Sequence, residues 1–265
     1  MQPEPENASV PWTGLDLLLF LALWFAALVV SGAVAAIADI AISPSPPEQS
    51  IAKMETEKKD HGHPVFQLIE HDKNSPTVLL IVVLCLVVAA PLVEELLFRL
   101  LFQGWLTATL IRSRIPHANV VAIGVVSVCF ALLHAGNSVA LDKQTLFFML
   151  GALAVANLLV FLLGIIYLSF IRNVSIPRYF FGSGRYFPPR FLTYTGYCLL
   201  ALVFIFGVSA ALDKVCPDVN TDPIPIFFFS LLLGTLYSKT QNLSYCILLH
   251  ALLNGTSLII VWLTV

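Results

Sequence analysis

Apolar blocks of about 20 residues or more recur along this chain, and nothing else in it restricts the fold so severely. A helix rises about 1.5 Å per residue, so each such block matches the roughly 30 Å hydrocarbon core of a bilayer. Composition agrees: 58% of residues are hydrophobic and 11% are charged, whereas soluble domains carry about 25% charged residues. Water could not solvate most of such a surface. The expected fold is all-α, a multi-pass transmembrane helical bundle of about seven spans. The net charge of −2 leaves partners open, and no basic footprint for nucleic acid is present. The five cysteines show no CxxC spacing. Four of them, Cys85, Cys129, Cys198 and Cys246, lie in apolar blocks, where cysteine behaves as a small hydrophobe.

The first span is expected over Leu15–Ile42, and its length and acidic leading segment suit a retained anchor better than a secretory signal. A polar stretch, Ser43–Ser75, follows. Further spans are expected at Thr77–Leu110, Asn119–Ala135, Thr145–Ile171, Phe191–Leu212, Pro225–Tyr237 and Tyr245–Leu263. The second exceeds what a bilayer needs, which predicts a tilt, a kink at Pro91 or an amphipathic tail. Residues 1–76 thus read as an anchor helix and polar loop, and 77–265 as a helical domain. Arg112, Arg114, Arg172, Arg178, Arg185, Arg190 and Lys239 fall in alternate loops. By the positive-inside rule those loops and the N-terminus face the cytoplasm. The Arg-rich loop after Ile171 serves either anionic lipid or topology alone.

Ionisable residues inside spans are costly and mark function by default. Three places interrupt the apolar blocks, and the other Asp, Lys and Arg residues are expected in loops. In PLVEELLFRLLFQGW, Arg99 lies four residues after Glu95, on the same helical face. Glu94 points about 100° away from that pair, where it could serve as a general base. The competing reading is one buried ionic knot of all three. In SVCFALLHAG, His134 sits near the end of an apolar span, where a hydrogen-bonded core histidine is the common alternative. In LSYCILLHALLNGTS, His250 and Asn254 share a face, suited to interhelical bonding or to oxyanion donation. Glu94 and His134 each lie about 24 Å, by helical rise, from the Leu110–Pro116 turn, so they are expected at one depth.

These segments resemble the motifs of the CPBP family (CAAX proteases and bacteriocin-processing enzymes), the type II CAAX prenyl endopeptidase-like intramembrane proteases. EExxxR is matched by Glu94, Glu95 and Arg99, FxxxH by Phe130 and His134, and HxxxN by His250 and Asn254. The resemblance implies an intramembrane endopeptidase in which Glu94 activates water with His134. His250 and Asn254 would stabilise the oxyanion, and Glu95 with Arg99 would be a supporting ion pair. It implies a substrate that is a peptide or protein cut near the membrane, prenylated in CAAX-type processing. No cofactor is favoured; the metalloprotease alternative would place zinc on Glu94, His134 and His250. Departures are Leu100, where the family most often has Gly, and the long stretch between His134 and His250, read as an inserted pair of spans at about 145–212. Two other classes stay open: a non-catalytic membrane protein binding a partner or bacteriocin-like peptide, and a proton-coupled transporter, for which no repeat symmetry is visible.

Overall fold

The computed structural model describes residues 10–42, 68–134 except 70, 71 and 73, 143–181 and 223–264, with scattered positions between 196 and 214. The expected span Phe191–Leu212 and the polar stretch Ser43–Ser75 fall mostly outside these residues. Helix is the regular structure throughout the described residues, and no strand occurs among them. In chain order the helices are α1 (Gly14–Ile42), α2 (Pro76–Arg112) and α3 (Ala118–Leu133). They are followed by α4 (Lys143–Ile166, continued in wide turns over Tyr167–Ile171), α5 (Ile176–Phe181), α6 (Pro223–Thr240) and α7 (Leu243–Thr264). The chain is an all-α membrane protein.

Among the described residues, four helices, α1, α2, α4 and α7, are long and apolar enough to cross a membrane. Leu15, Leu18, Val29 and Ile40 of α1 and Val155 and Leu162 of α4 are more than half exposed. An apolar surface of that extent fits lipid and not water. α3 is shorter, at 16 residues. The short span expected at Pro225–Tyr237 is an 18-residue helix, because Pro223 and Pro225 occupy its first turn, where a missing N–H costs no helical bond. α2 begins in the same way at Pro76, with the Ser75 hydroxyl accepting from the Val78 N–H at 3.4 Å.

One expectation needs correcting. The remaining acidic and basic residues are not all in loops: Asp16 lies in the first turn of α1 and is 1% exposed. Arg172, just past α4, donates to its Oδ1 from Nη2 at 2.6 Å and from Nε at 3.0 Å. The Tyr167 hydroxyl and the Thr13 side chain also donate to Asp16. A partner 156 positions away satisfies a charge that its own helix could not.

α2 accommodates Pro91 through its winding. Val83–Ala89 form a π-helical stretch immediately before the proline, and Leu96–Gln103 form a second. A proline ring presses on the carbonyl four residues back, and a wider turn moves that carbonyl away.

The contacts divide the chain into two compact units, to which α1, α2, α4 and α7 contribute residues on both sides of the division. One unit holds 1–21, 94–136 and 162–249. Its core includes the four-residue spacing Ala118, Ala122, Val126 and Phe130, one face of α3, which packs on α6. The other holds 22–93, 137–161 and 250–265. There Val78, Val82, Cys85 and Ala89 of α2 meet Leu146, Leu150 and Ala154 of α4 and Leu258 of α7, with Leu68 and Ile69 buried beside them.

Candidate active site

Within the first unit, a polar ladder joins α2 to α6. Glu95, Arg99 and Gln103 are spaced by four on α2, and all three are buried. Arg99 Nε donates to Glu95 Oε2 at 3.0 Å, with both side chains fully buried. Arg99 Nη2 donates to Ser230 Oγ at 2.9 Å, and Gln103 Nε2 donates to the Gly234 carbonyl at 2.9 Å. Gly234 permits this approach: a Cβ there would meet Ile123 Cγ2 at 2.9 Å and Gln103 Oε1 at 3.1 Å. The ion pair read from the sequence is therefore present. It is anchored by Ser230, Gln103 and Gly234, none of which the motif reading singled out. Gln103 carried a usable signal, a polar residue on the Glu95–Arg99 face of an apolar helix. Ser230 carried none. Leu100, which departs from the family's common Gly, is fully buried between these positions.

The Arg99 guanidinium carbon lies 5.2 Å from the centroid of the Phe130 ring. Phe130 in turn lies against the His134 ring, with centroids 4.5 Å apart. His134 ends α3. Its backbone N–H turns back to the Ala131 carbonyl, leaving the Phe130 carbonyl for the His134 ring, whose Nδ1 lies 2.8 Å away. A carbonyl only accepts, so Nδ1 carries a hydrogen and the neutral ring presents Nε2 as a base. Nε2 faces Glu94 Oε2 at 3.7 Å, with side-chain exposures of 34% and 13% respectively. Glu94 and His134 thus meet at one depth, as helical rise predicts. Both also keep some access from outside the core.

His250 and Asn254 belong to the second unit. His250 is 4% exposed. Asn254, one turn later on α7, donates from Nδ2 to the Leu86 carbonyl at 2.8 Å. Among the described residues, no group of three or more His, Cys, Asp or Glu side chains is placed to hold a metal ion. Glu95, the carboxylate next to Glu94, is engaged by Arg99.

The arrangement can be set beside known proteins. The family model for type II CAAX prenyl endopeptidase Rce1-like proteins matches residues 76–177 and 179–256, well over half of the chain. The chain belongs to this family. The match includes Glu94, Glu95, Arg99, His134, His250 and Asn254, and it runs through most of the stretch read as inserted. No curated protein and no solved structure matches. Membership in the Rce1-like family makes the chain a CAAX-protease-like endopeptidase of the membrane, acting on a peptide or protein substrate there.

Proposed function

We propose that this Rce1-like protein hydrolyses a peptide bond at the membrane with water activated by Glu94 and His134. The observation that carries the reading is the pairing of Glu94 Oε2 and His134 Nε2 across 3.7 Å inside the family-matched segment. Two acceptors at that separation suit a shared donor, and a water molecule can give one hydrogen to each. The carboxylate takes the water proton as oxygen attacks the scissile carbonyl. It then returns that proton to the amide nitrogen as the C–N bond breaks. Glu95 and Arg99 do not touch the substrate in this scheme. They fix α2 against α6 and support the Phe130 ring on which His134 rests.

The tetrahedral oxyanion needs a donor, and His250, in the last matched motif, is assigned that role. The substrate class is a polypeptide with a membrane-proximal cleavage site carrying a prenyl group. The exposed apolar surfaces of the spans suit its delivery through the lipid phase.

The test is cleavage by purified protein in detergent, using tail peptides with and without a prenyl group. Glu94→Gln is expected to lower turnover by about 10²–10⁴, and His250→Ala by about 10²–10³. Activity is expected to survive a chelator. Loss with chelator and rescue by zinc would replace the scheme with metal chemistry, and undiminished cleavage by Glu94→Gln would remove the assigned base.

A further inference from the structure

Pro91 leaves a specific defect in α2, and the residue that repairs it is Asn254. In a regular α-helix the Leu86 carbonyl would accept from the N–H of Ala90. Here the Ala90 N–H goes one residue further back, to the Cys85 carbonyl, in the π-helical register. In that register the donor due to Leu86 is residue 91. Residue 91 is proline and has no N–H. The Leu86 carbonyl therefore has no helical donor from either register, at a depth where an unsatisfied carbonyl costs free energy. Asn254 Nδ2 supplies the missing hydrogen at 2.8 Å.

We infer that Asn254 is a positioning residue, which replaces the backbone donor lost at Pro91 and so sets the register of α7, with His250 one turn before it, on α2. The surrounding contacts lie on the same line. A Cβ on Gly255 would lie 3.7 Å from Val87 Cγ1, in ordinary contact. Leu258, one turn past Asn254, enters the cluster of Val82, Cys85 and Ala89. Apolar packing holds the two helices together but tolerates sliding, and a single hydrogen bond to one carbonyl selects one rotation and one height. The resemblance had cast Asn254 as a second donor to the oxyanion. Its Nδ2 carries two hydrogens, and the one given to Leu86 gives Asn254 a part in holding the helix that presents His250. For its activity arm this inference rests on the proteolytic reading; its stability arm stands without it.

The experiment is a double-mutant cycle of wild type, Asn254→Leu, Pro91→Ala and the double variant. Alanine at 91 restores an N–H, so the Leu86 carbonyl regains a backbone donor in either register. Asn254→Leu is expected to lower the unfolding midpoint in detergent, and at least half of that loss should vanish in the Pro91→Ala background. Cleavage of the prenylated peptide, depressed by Asn254→Leu, should recover at least tenfold in the double variant. Equal losses of stability in both backgrounds would overturn the inference. Recovered stability without recovered turnover would also overturn it, since Asn254 would then act on the reacting atoms directly. Should Asn254→Leu fail to accumulate, folded yield is the readout: rescue by Pro91→Ala supports the inference, and failure in both backgrounds overturns it. If wild type cleaves no peptide, the proteolytic reading is what fails, and the stability cycle still decides what Asn254 does for Leu86.

Discussion

At the scale of the residue, Arg99 shows how a full charge survives inside a membrane protein. Its side chain is fully buried, and Glu95, Ser230 and the Phe130 face share it between them. Breaking such a pair from one side strands the other charge, at about 3–5 kcal/mol, whereas neutralising both partners costs far less. Arg99→Met is therefore expected to lower the stability of the purified protein by that order, and Glu95→Gln with Arg99→Met to recover most of it. Thermal unfolding in detergent measures both, and a double variant as unstable as Arg99→Met alone would contradict the account. The pair itself was legible, because four residues on a helix place two side chains on one face. The same rule, with helical rise, put Glu94 level with His134. Ser230 was not legible, since it lies 131 positions from Arg99 and only the packing of α6 brings it there. Asp16 was missed for the same reason: its partner Arg172 lies 156 positions away.

Elements were easier to read than contacts, because bilayer thickness sets a length that apolar blocks either meet or fail to meet. The first two and the last of the expected spans agree with α1, α2 and α7 to within a few residues at each end. The winding of α2 was harder. Pro91 announced a disturbance, but a proline in a long helix is compatible with a kink or with wide turns, and only the carbonyl partners distinguish them. Helix-to-helix distance was likewise unreadable, and glycine controls it here. A methyl group at Gly234 would press into Ile123 and Gln103, and overpacking of this kind costs about 1–3 kcal/mol. Gly234→Ala is expected to be destabilised by that amount, and Ile123→Ala in the same chain to relieve part of it by removing the opposing methyl. Gly124 on α3 has nothing within 4 Å of a built Cβ, so Gly124→Ala should be neutral, or stabilised by up to about 1 kcal/mol of helix propensity. Equal unfolding midpoints for Gly234→Ala and Gly124→Ala would contradict this view of the α3–α6 contact.

At the scale of the whole molecule, the distribution of charge in the first unit argues for one orientation in the membrane. Arg99 with Ser230 and Gln103 with Gly234 show that α2 and α6 run in the same direction, so their C-terminal ends lie together. Arg112, Arg114 and Lys239 are exposed at those ends. Trp12, just before α1, donates to the Leu101 carbonyl at 3.1 Å and stacks edge-on against Tyr179. That contact brings the start of α1 and the exposed Arg178 toward the same end. Asp16 joins them through Arg172. No exposed acidic side chain offsets these cations among the described residues of the unit. By the positive-inside rule this end, and the start of α1 with it, is expected to face the cytoplasm. The expectation can be measured in a chain whose native cysteines are replaced and a single cysteine stands at Ser113 or Ser175, both exposed beside these cations. A membrane-impermeant maleimide should leave both unlabelled in intact cells and react after permeabilisation. Labelling in intact cells at both positions would invert the topology, and opposite behaviour at the two would contradict the shared end that the Trp12 and Asp16 contacts define.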